Sequence, residues 1–181
     1  MNTELDEALC RDFPEIFKNR YADIRTTAMC WGFECGDGWE PLIRMTCNRI
    51  MSLVISTRED IIEVKGRLSE PETNKSQRSD LTRKYYTPEK LAELETTLVT
   101  LEKEIPAASQ IKEKFGGLRF YIHGGTEKHH NIIEASEAMS YYVCEVCGTM
   151  STAMLRSDGW YSTLCDKHAA ERGKENVTLD C

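Results

Sequence analysis

Two short segments decide the fold of the C-terminal part of this chain: CEVCG at residues 144–148 and CDKH at residues 165–168. Together they have the spacing C-x2-C, seventeen residues, C-x2-H. Zinc takes four ligands in a tetrahedron, and cysteine thiolate and histidine imidazole are common protein ligands for it. The sequence therefore predicts that one Zn²⁺ ion is bound by Cys144, Cys147, Cys165 and His168.

The residues between these segments favour the same interpretation. Ser157-Asp158-Gly159-Trp160 is typical of a hairpin turn, and the residues from Asp166 to Arg172 are typical of a helix. A knuckle, a hairpin and a helix that carries the last ligand predict a treble-clef-like zinc module over residues 143–181. Four protein ligands leave no open coordination position, so we expect a structural site.

Two segments with apolar residues spaced alternately by three and four predict an antiparallel helical hairpin over about residues 42–105. The first segment runs from Leu42 to Leu68, and the second begins at Thr87-Pro88-Glu89, a cap-plus-proline signal. This spacing is typical of a coiled-coil seam, which would allow the hairpin to form an oligomer. Amphipathic helices that pack on a core show the same spacing. The apolar positions of the first segment are Cys47, Ile50, Val54, Thr57, Ile61, Val64 and Leu68.

A short β element is expected between the hairpin and the zinc module. Apolar and polar residues alternate over 118–123, which predicts a half-buried strand. Thr126 then predicts the start of a helix that runs to about Tyr142. The fold class is therefore α+β and mostly helical. We expect a helical/α+β domain at residues 1–142, with the hairpin as an insert, and a zinc-binding module at residues 143–181.

Composition limits the class of protein. The chain has 181 residues and a formal net charge of −7, which excludes a uniformly basic nucleic-acid-binding surface but allows a local basic patch. No apolar run approaches the roughly 20 residues that cross a membrane. Acidic residues at positions 4, 6 and 7 do not fit a signal peptide. We therefore expect a cytoplasmic protein with no membrane partner, in which paired cysteines bind metal rather than form disulfides.

Catalytic motifs are missing from the sequence, although candidate residues for a metal-hydrolase or Cys-His centre exist. His123, His129, Asp37 and Cys35 could contribute to such a centre. Cys30 and Cys35 could form a second metal site with His129 or His130. Surface histidines and small buried cysteines account for the same residues, so we predict no catalytic residues.

Basic residues next to aromatic residues occur in two segments. Such a combination can bind backbone phosphates and stack on bases, whereas a polar hairpin tip and a tight glycine turn have the same composition. The candidate nucleic-acid-binding residues are Lys75, Arg78, Arg83 and Lys84 in the polar loop, and Lys112, Lys114 and Arg119 around Gly116-Gly117.

Three stretches together resemble a family of small proteins without an assigned activity, encoded by bacteriophages, prophages and some bacteria. They are WGFECGDGW at residues 31–39, KEKFGGLRFY at residues 112–121, and the C-terminal cysteine-histidine segment with Gly159-Trp160. The resemblance implies a phage or bacterial origin and hence the cytoplasm of a host cell. It implies nothing about the helical insert.

Our leading functional hypothesis is a zinc-stabilised binding module that acts on a protein of the host or the phage. A modulator of a host nucleic-acid-processing or defence system fits the resemblance and the acidic composition. The alternative is nucleic-acid binding through the basic segments, and a third hypothesis is a hydrolase or nuclease.

Overall fold

The computed structural model describes residues 1–71, 84–150, 153–157, 160–172 and 176–177, and residues 153–157 and 176–177 by their backbone. These residues form an α+β fold, which confirms the predicted class. The chain divides into two compact units, Met1–Ile50 with Pro106–Cys181 and Met51–Ile105. No described helix is both long and apolar enough to cross a membrane.

The described residues form the following helices and strands, each numbered in chain order. The helices are α1 (Thr3–Asp12), α2 (Glu40–Leu68), α3 (Pro88–Glu104), α4 (Glu127–Ser140) and α5 (Asp166–Arg172). The strands are β1 (Phe33–Glu34), β2 (Ala107–Lys114), β3 (Gly117–His123), β4 (Ala153–Ser157), β5 (Trp160–Leu164) and β6 (Asn176–Val177).

The first sheet has the strand order β1-β2-β3. β1 is parallel to β2, and β2 is antiparallel to β3 through a two-residue turn at Phe115-Gly116. The outer edge of β3 is covered by α4: the Leu118 amide donates to Ser140 Oγ (2.9 Å) and the Phe120 amide to Glu137 Oε1 (2.8 Å). Sequence reasoning predicted β3 but missed β2, because lysines and a glutamate occupy the strand positions before the turn.

The second sheet belongs to the C-terminal segment and has the order β5-β4-β6. β4 and β5 form the predicted hairpin, in which Ser157 pairs with Trp160. β6 adds a short antiparallel strand on the other side of β4. α5 follows β5 directly, as the sequence predicted.

The core of the first unit is built around Trp39, which is fully buried. Its indole Nε1 donates to the Val143 carbonyl at 2.8 Å, so the residue that ends the WGFECGDGW segment is tied to the chain just before Cys144. The buried hydroxyls of Thr46 and Ser136 satisfy each other at 2.5 Å. Other fully buried residues of this unit include Leu9, Ile16, Met29, Ile43, Ile111 and Leu118.

The second unit is the predicted helical hairpin. Arg58 pairs with Glu102 at 2.7 Å. Lys65, which comes later in α2, pairs with Glu95, which comes earlier in α3, at 2.8 Å. The two helices are therefore antiparallel. Between them Ile61, Val64 and Leu94 form a buried cluster flanked by Leu68, Tyr86, Leu91 and Leu98.

The predicted domain boundaries are only partly comparable with these units. Most of the predicted insert coincides with the second unit, whereas the C-terminal segment from residue 143 belongs to the first. Independent folding of residues 143–181 stays a prediction.

Candidate metal centre

The first two ligands lie in a tight knuckle at the end of α4. The Gly148 amide donates to the Cys144 carbonyl (2.8 Å) and the Cys144 amide to the Thr149 carbonyl (2.9 Å), which folds the backbone back on itself. Gly148 has a φ of 73°, a left-handed conformation that glycine adopts without steric cost. This turn brings Cys144, which is buried, and Cys147, which is exposed, to one side of the knuckle.

The other two ligands lie where β5 leads into α5. Cys165 is the residue between the strand and the helix, and His168 is in the first turn of α5. The Ala169 amide donates to the Cys165 carbonyl at 2.8 Å, which continues the helical pattern back to the cysteine. Residues three apart at a helix start face the same side, so both side chains turn toward the knuckle.

The four side chains meet at distances that suit one ion. His168 Nδ1 lies 3.5 Å from Cys144 Sγ and 3.3 Å from Cys165 Sγ, and the sulfurs of Cys147 and Cys165 are 3.8 Å apart. In a tetrahedron of the size that Zn²⁺ prefers, two sulfurs are about 3.8 Å apart, and a sulfur and a nitrogen about 3.5 Å. All four ligand atoms lie within 4.8 Å of one another, so the Cys3His cluster could hold a metal ion.

The protonation of the cysteines differs across the cluster before metal enters. The hydroxyl of Thr149, 3.2 Å from Cys147 Sγ, stabilises the thiolate and lowers the pKa of Cys147 to about 6. Burial raises the pKa of Cys144 above its ordinary value. Metal binding requires thiolates and therefore releases protons from the cysteines that are still thiols.

The surroundings of the cluster hold the ligands in place. Leu164 and Ala169 are buried against Cys144. His168 offers Nδ1 to the cluster, and its Nε2 faces Glu171 at 3.8 Å. A carboxylate beside the second ring nitrogen of a ligating histidine orients the ring in many metal sites.

The WGFECGDGW segment packs directly on the knuckle. The Gly36 amide donates to Glu145 Oε1 (3.0 Å) and the Gly38 amide to the Glu145 carbonyl (2.8 Å). A Cβ atom on Gly38 would lie 2.7 Å from the Cys147 nitrogen and closer still to the backbone of Cys144 and Gly148. Glycine is therefore required at this position by the close approach of two backbones, which sequence spacing did not reveal.

The KEKFGGLRFY segment also contacts the C-terminal hairpin. Thr163, which is fully buried in β5, donates its hydroxyl to the Gly116 carbonyl at 2.6 Å. The Glu145 amide donates to the Thr163 carbonyl at 3.0 Å. WGFECGDGW and KEKFGGLRFY thus both contact the third stretch that carried the resemblance, the C-terminal segment with the Cys3His cluster.

The structure gives the candidate catalytic residues other roles or positions. Asp37 accepts from the backbone and side chain of Asn2, and His129 Nδ1 accepts from the Thr126 amide at the start of α4. Cys35 is buried, which raises its pKa to about 12, and His123 is exposed at the end of β3.

Among the described residues the Cys3His cluster is the one group of three or more possible metal ligands. A second site formed by Cys30 and Cys35 with His129 or His130 is therefore not supported within that part of the chain.

The candidate nucleic-acid-binding residues are distributed over two regions. Lys75, Arg78 and Arg83 lie outside the described residues, and Lys84 is exposed. Lys112 and Arg119 pair across β2 and β3, with Lys114 at the end of β2. The guanidinium of Arg119 is engaged inside the fold, since it donates to Tyr141 Oη at 2.9 Å and to the Leu118 carbonyl at 2.7 Å.

No protein-family model, curated protein or solved structure matches this chain. The interpretation of the centre therefore depends on its own geometry and chemistry.

Proposed function

We propose that this chain is a zinc-stabilised accessory binding protein of phage or bacterial origin. It acts in the cytoplasm of the host cell by contacting a protein of a nucleic-acid-processing or defence system. The phage or bacterial origin and the choice of system rest on the resemblance described above. The binding role rests on the metal centre.

The observation that carries the proposal is the set of four protein ligands in the Cys3His cluster. They lie where WGFECGDGW and KEKFGGLRFY contact the C-terminal segment. Three thiolates and one imidazole favour Zn²⁺ over harder cations such as Mg²⁺ or Ca²⁺. With four protein ligands there is no open position for a substrate or a reactive water. The arrangement of knuckle, hairpin and helix supports a treble-clef-like module whose ion stabilises a surface.

A candidate surface for the protein partner surrounds the knuckle. The segment from the end of α4 to the end of the knuckle exposes apolar side chains, including Tyr142 (66% exposed) and Met150 (64% exposed), with Met139 and Val146 partly exposed. Exposed apolar side chains that cluster in this way often mark interaction sites. We call these four residues the knuckle surface.

Affinity capture tests the proposed function. Tagged chain is purified from host lysate after nuclease treatment, and the same is done with Tyr142→Glu/Met150→Glu. We expect one protein to co-purify with the unchanged chain and to be lost with the double variant, because two charges on the knuckle surface oppose apolar contact. Val99→Glu, a charge at an exposed apolar position of α3, is the matched control and should retain the partner. Equal capture by all three chains, or no partner at all, would reject the proposal.

A further inference from the structure

Two exposed aromatic rings lie at the ends of two adjacent β-hairpins. Phe115 is in the β2–β3 turn and Trp160 is the first residue of β5. Together with Glu113, Lys114 and Tyr161 they line an open cleft of about 280 Å³. The hairpins are held together beside this cleft by the Thr163–Gly116 hydrogen bond described above.

Folding alone does not account for Phe115. It occupies the first position of a two-residue turn with a φ of 55°, where asparagine, aspartate or glycine is preferred. A bulky residue with positive φ is unfavourable, and the ring does not compensate by burial, since it is 62% exposed. Trp160 is 70% exposed. Strained backbone and exposed aromatic rings at one place are typical of a binding site.

Lysines accompany the aromatic rings along the same strand. Lys114 Nζ lies 5.4 Å from the centre of the Phe115 ring, and Lys112 Nζ lies 5.7 Å from that of Tyr121. Because side chains alternate along a strand, Lys112 and Lys114 project from the same face of β2. Neither lysine forms an ion pair with a carboxylate in the described part of the chain.

The acidic groups beside this row accept hydrogen bonds from neutral amide groups. Glu34 Oε2 accepts from Gln110 Nε2 at 2.9 Å, and Glu113 Oε1 accepts from the Gly116 amide at 2.6 Å. Both carboxylates keep their negative charge, but neither forms an ion pair with Lys112 or Lys114 among the described residues, so the two ammonium groups remain available to a phosphate. These ammonium groups and the adjacent rings match a ligand that has both phosphates and flat bases.

We propose that the surface formed by Lys112, Lys114, Phe115, Tyr121 and Trp160 binds single-stranded nucleic acid. One base stacks in the cleft between Phe115 and Trp160, and the two lysines contact backbone phosphates. A duplex does not fit, because its bases are already stacked on both faces. This activity goes beyond the protein-binding function proposed above and uses a different surface from the knuckle surface.

Fluorescence anisotropy with the full chain tests this site. The probes are a labelled 15-nucleotide single strand, as DNA and as RNA, and the matching duplex at low salt. We expect preference for a single strand. Trp160→Ala and Phe115→Asn should each weaken it roughly five- to hundredfold, the range for loss of one stacked base. Trp31→Ala is the matched control, since Trp31 is 63% exposed outside this surface.

The salt dependence tests the phosphate contacts separately. Lys112→Gln and Lys114→Gln should each reduce the slope of log affinity against log salt by about 0.7, the value for one contact to a single strand. Lys103→Gln, an exposed lysine on α3, should leave the slope unchanged.

Three results would overturn the inference. The first is equal affinity for single strand and duplex, and the second is affinity that both aromatic substitutions leave unchanged. The third is absence of oligonucleotide binding; a captured protein whose binding depends on Phe115 and Trp160 would then make the cleft a protein contact. Asparagine suits the turn better than phenylalanine, so a folded Phe115→Asn variant, checked by thermal melting, keeps the test independent of stability.

Discussion

At the scale of single residues, the glycines of the WGFECGDGW segment show how closely the fold is built around the knuckle. Gly38 donates its amide to Glu145, and its Cα lies against the backbone of Cys144, Cys147 and Gly148. Nothing in the spacing of the segment reveals that contact. The reason for the glycine is a backbone segment distant in the sequence, which only the folded structure brings near.

Gly38→Ala should destabilise the first unit. The added methyl group would overlap backbone atoms that cannot rotate away, and overpacking of this kind costs about 1–3 kcal/mol. For a chain of this size that corresponds to a decrease in melting temperature of roughly 2–12 °C. Gly66→Ala in α2 is the matched control, because no atom lies within 4 Å of its added Cβ. It should stabilise the chain by up to about 1 kcal/mol. Similar changes of melting temperature in the two variants would contradict the packing argument.

Phe115→Asn should stabilise the β2–β3 turn. Asparagine adopts positive φ more readily than phenylalanine and is preferred in turns of this type. Since the phenylalanine ring is exposed, little burial is lost. We expect an increase in the free energy of unfolding of about 0.5–1 kcal/mol in urea denaturation. A decrease would indicate that the ring packs on the fold and would weaken its interpretation as a ligand contact.

At the scale of elements, the helical hairpin and the C-terminal hairpin were predictable because their signals are local. The apolar spacing of α2 and the Thr87-Pro88 cap of α3 each lie within a few turns of helix, and Thr87 does accept from the Lys90 amide. β2 was not predictable, since only Ala107, Ala108 and Ile111 of its residues are buried and charged residues fill the rest. Its pairing with β1, far away in the sequence, gives it the form of a central strand.

Val64→Ala should destabilise the helical hairpin more than loss of a surface ion pair. Val64 is fully buried, and removing two methyl groups from a packed seam costs about 1–3 kcal/mol. Glu95→Ala removes the exposed Lys65–Glu95 pair and should cost less than about 1 kcal/mol. Hydrogen exchange of the α3 amides measures how much each variant destabilises the helical hairpin. Comparable loss of protection in the two variants would argue against a seam-stabilised hairpin.

At the scale of the whole molecule, the candidate metal centre joins segments that are far apart in the chain. Its ligands come from the end of α4 and the start of α5, and residues 36–39 and 116 brace it by hydrogen bonds. The Cys3His cluster was predictable because zinc-binding sequences have a restricted spacing and choice of residues. The bracing was not, because it depends on backbone groups whose partners have no characteristic spacing.

The central claim is that Cys144, Cys147, Cys165 and His168 bind one structural zinc ion. The most direct test is elemental analysis of the purified chain, with Cys165→Ser beside Cys47→Ser, which changes a buried cysteine outside the cluster. We predict one zinc per chain for the unchanged protein and for Cys47→Ser. For Cys165→Ser we predict less than one zinc and a melting temperature that a chelator no longer lowers. A chain without stoichiometric metal, whose melting temperature is insensitive to chelator, would contradict the claim.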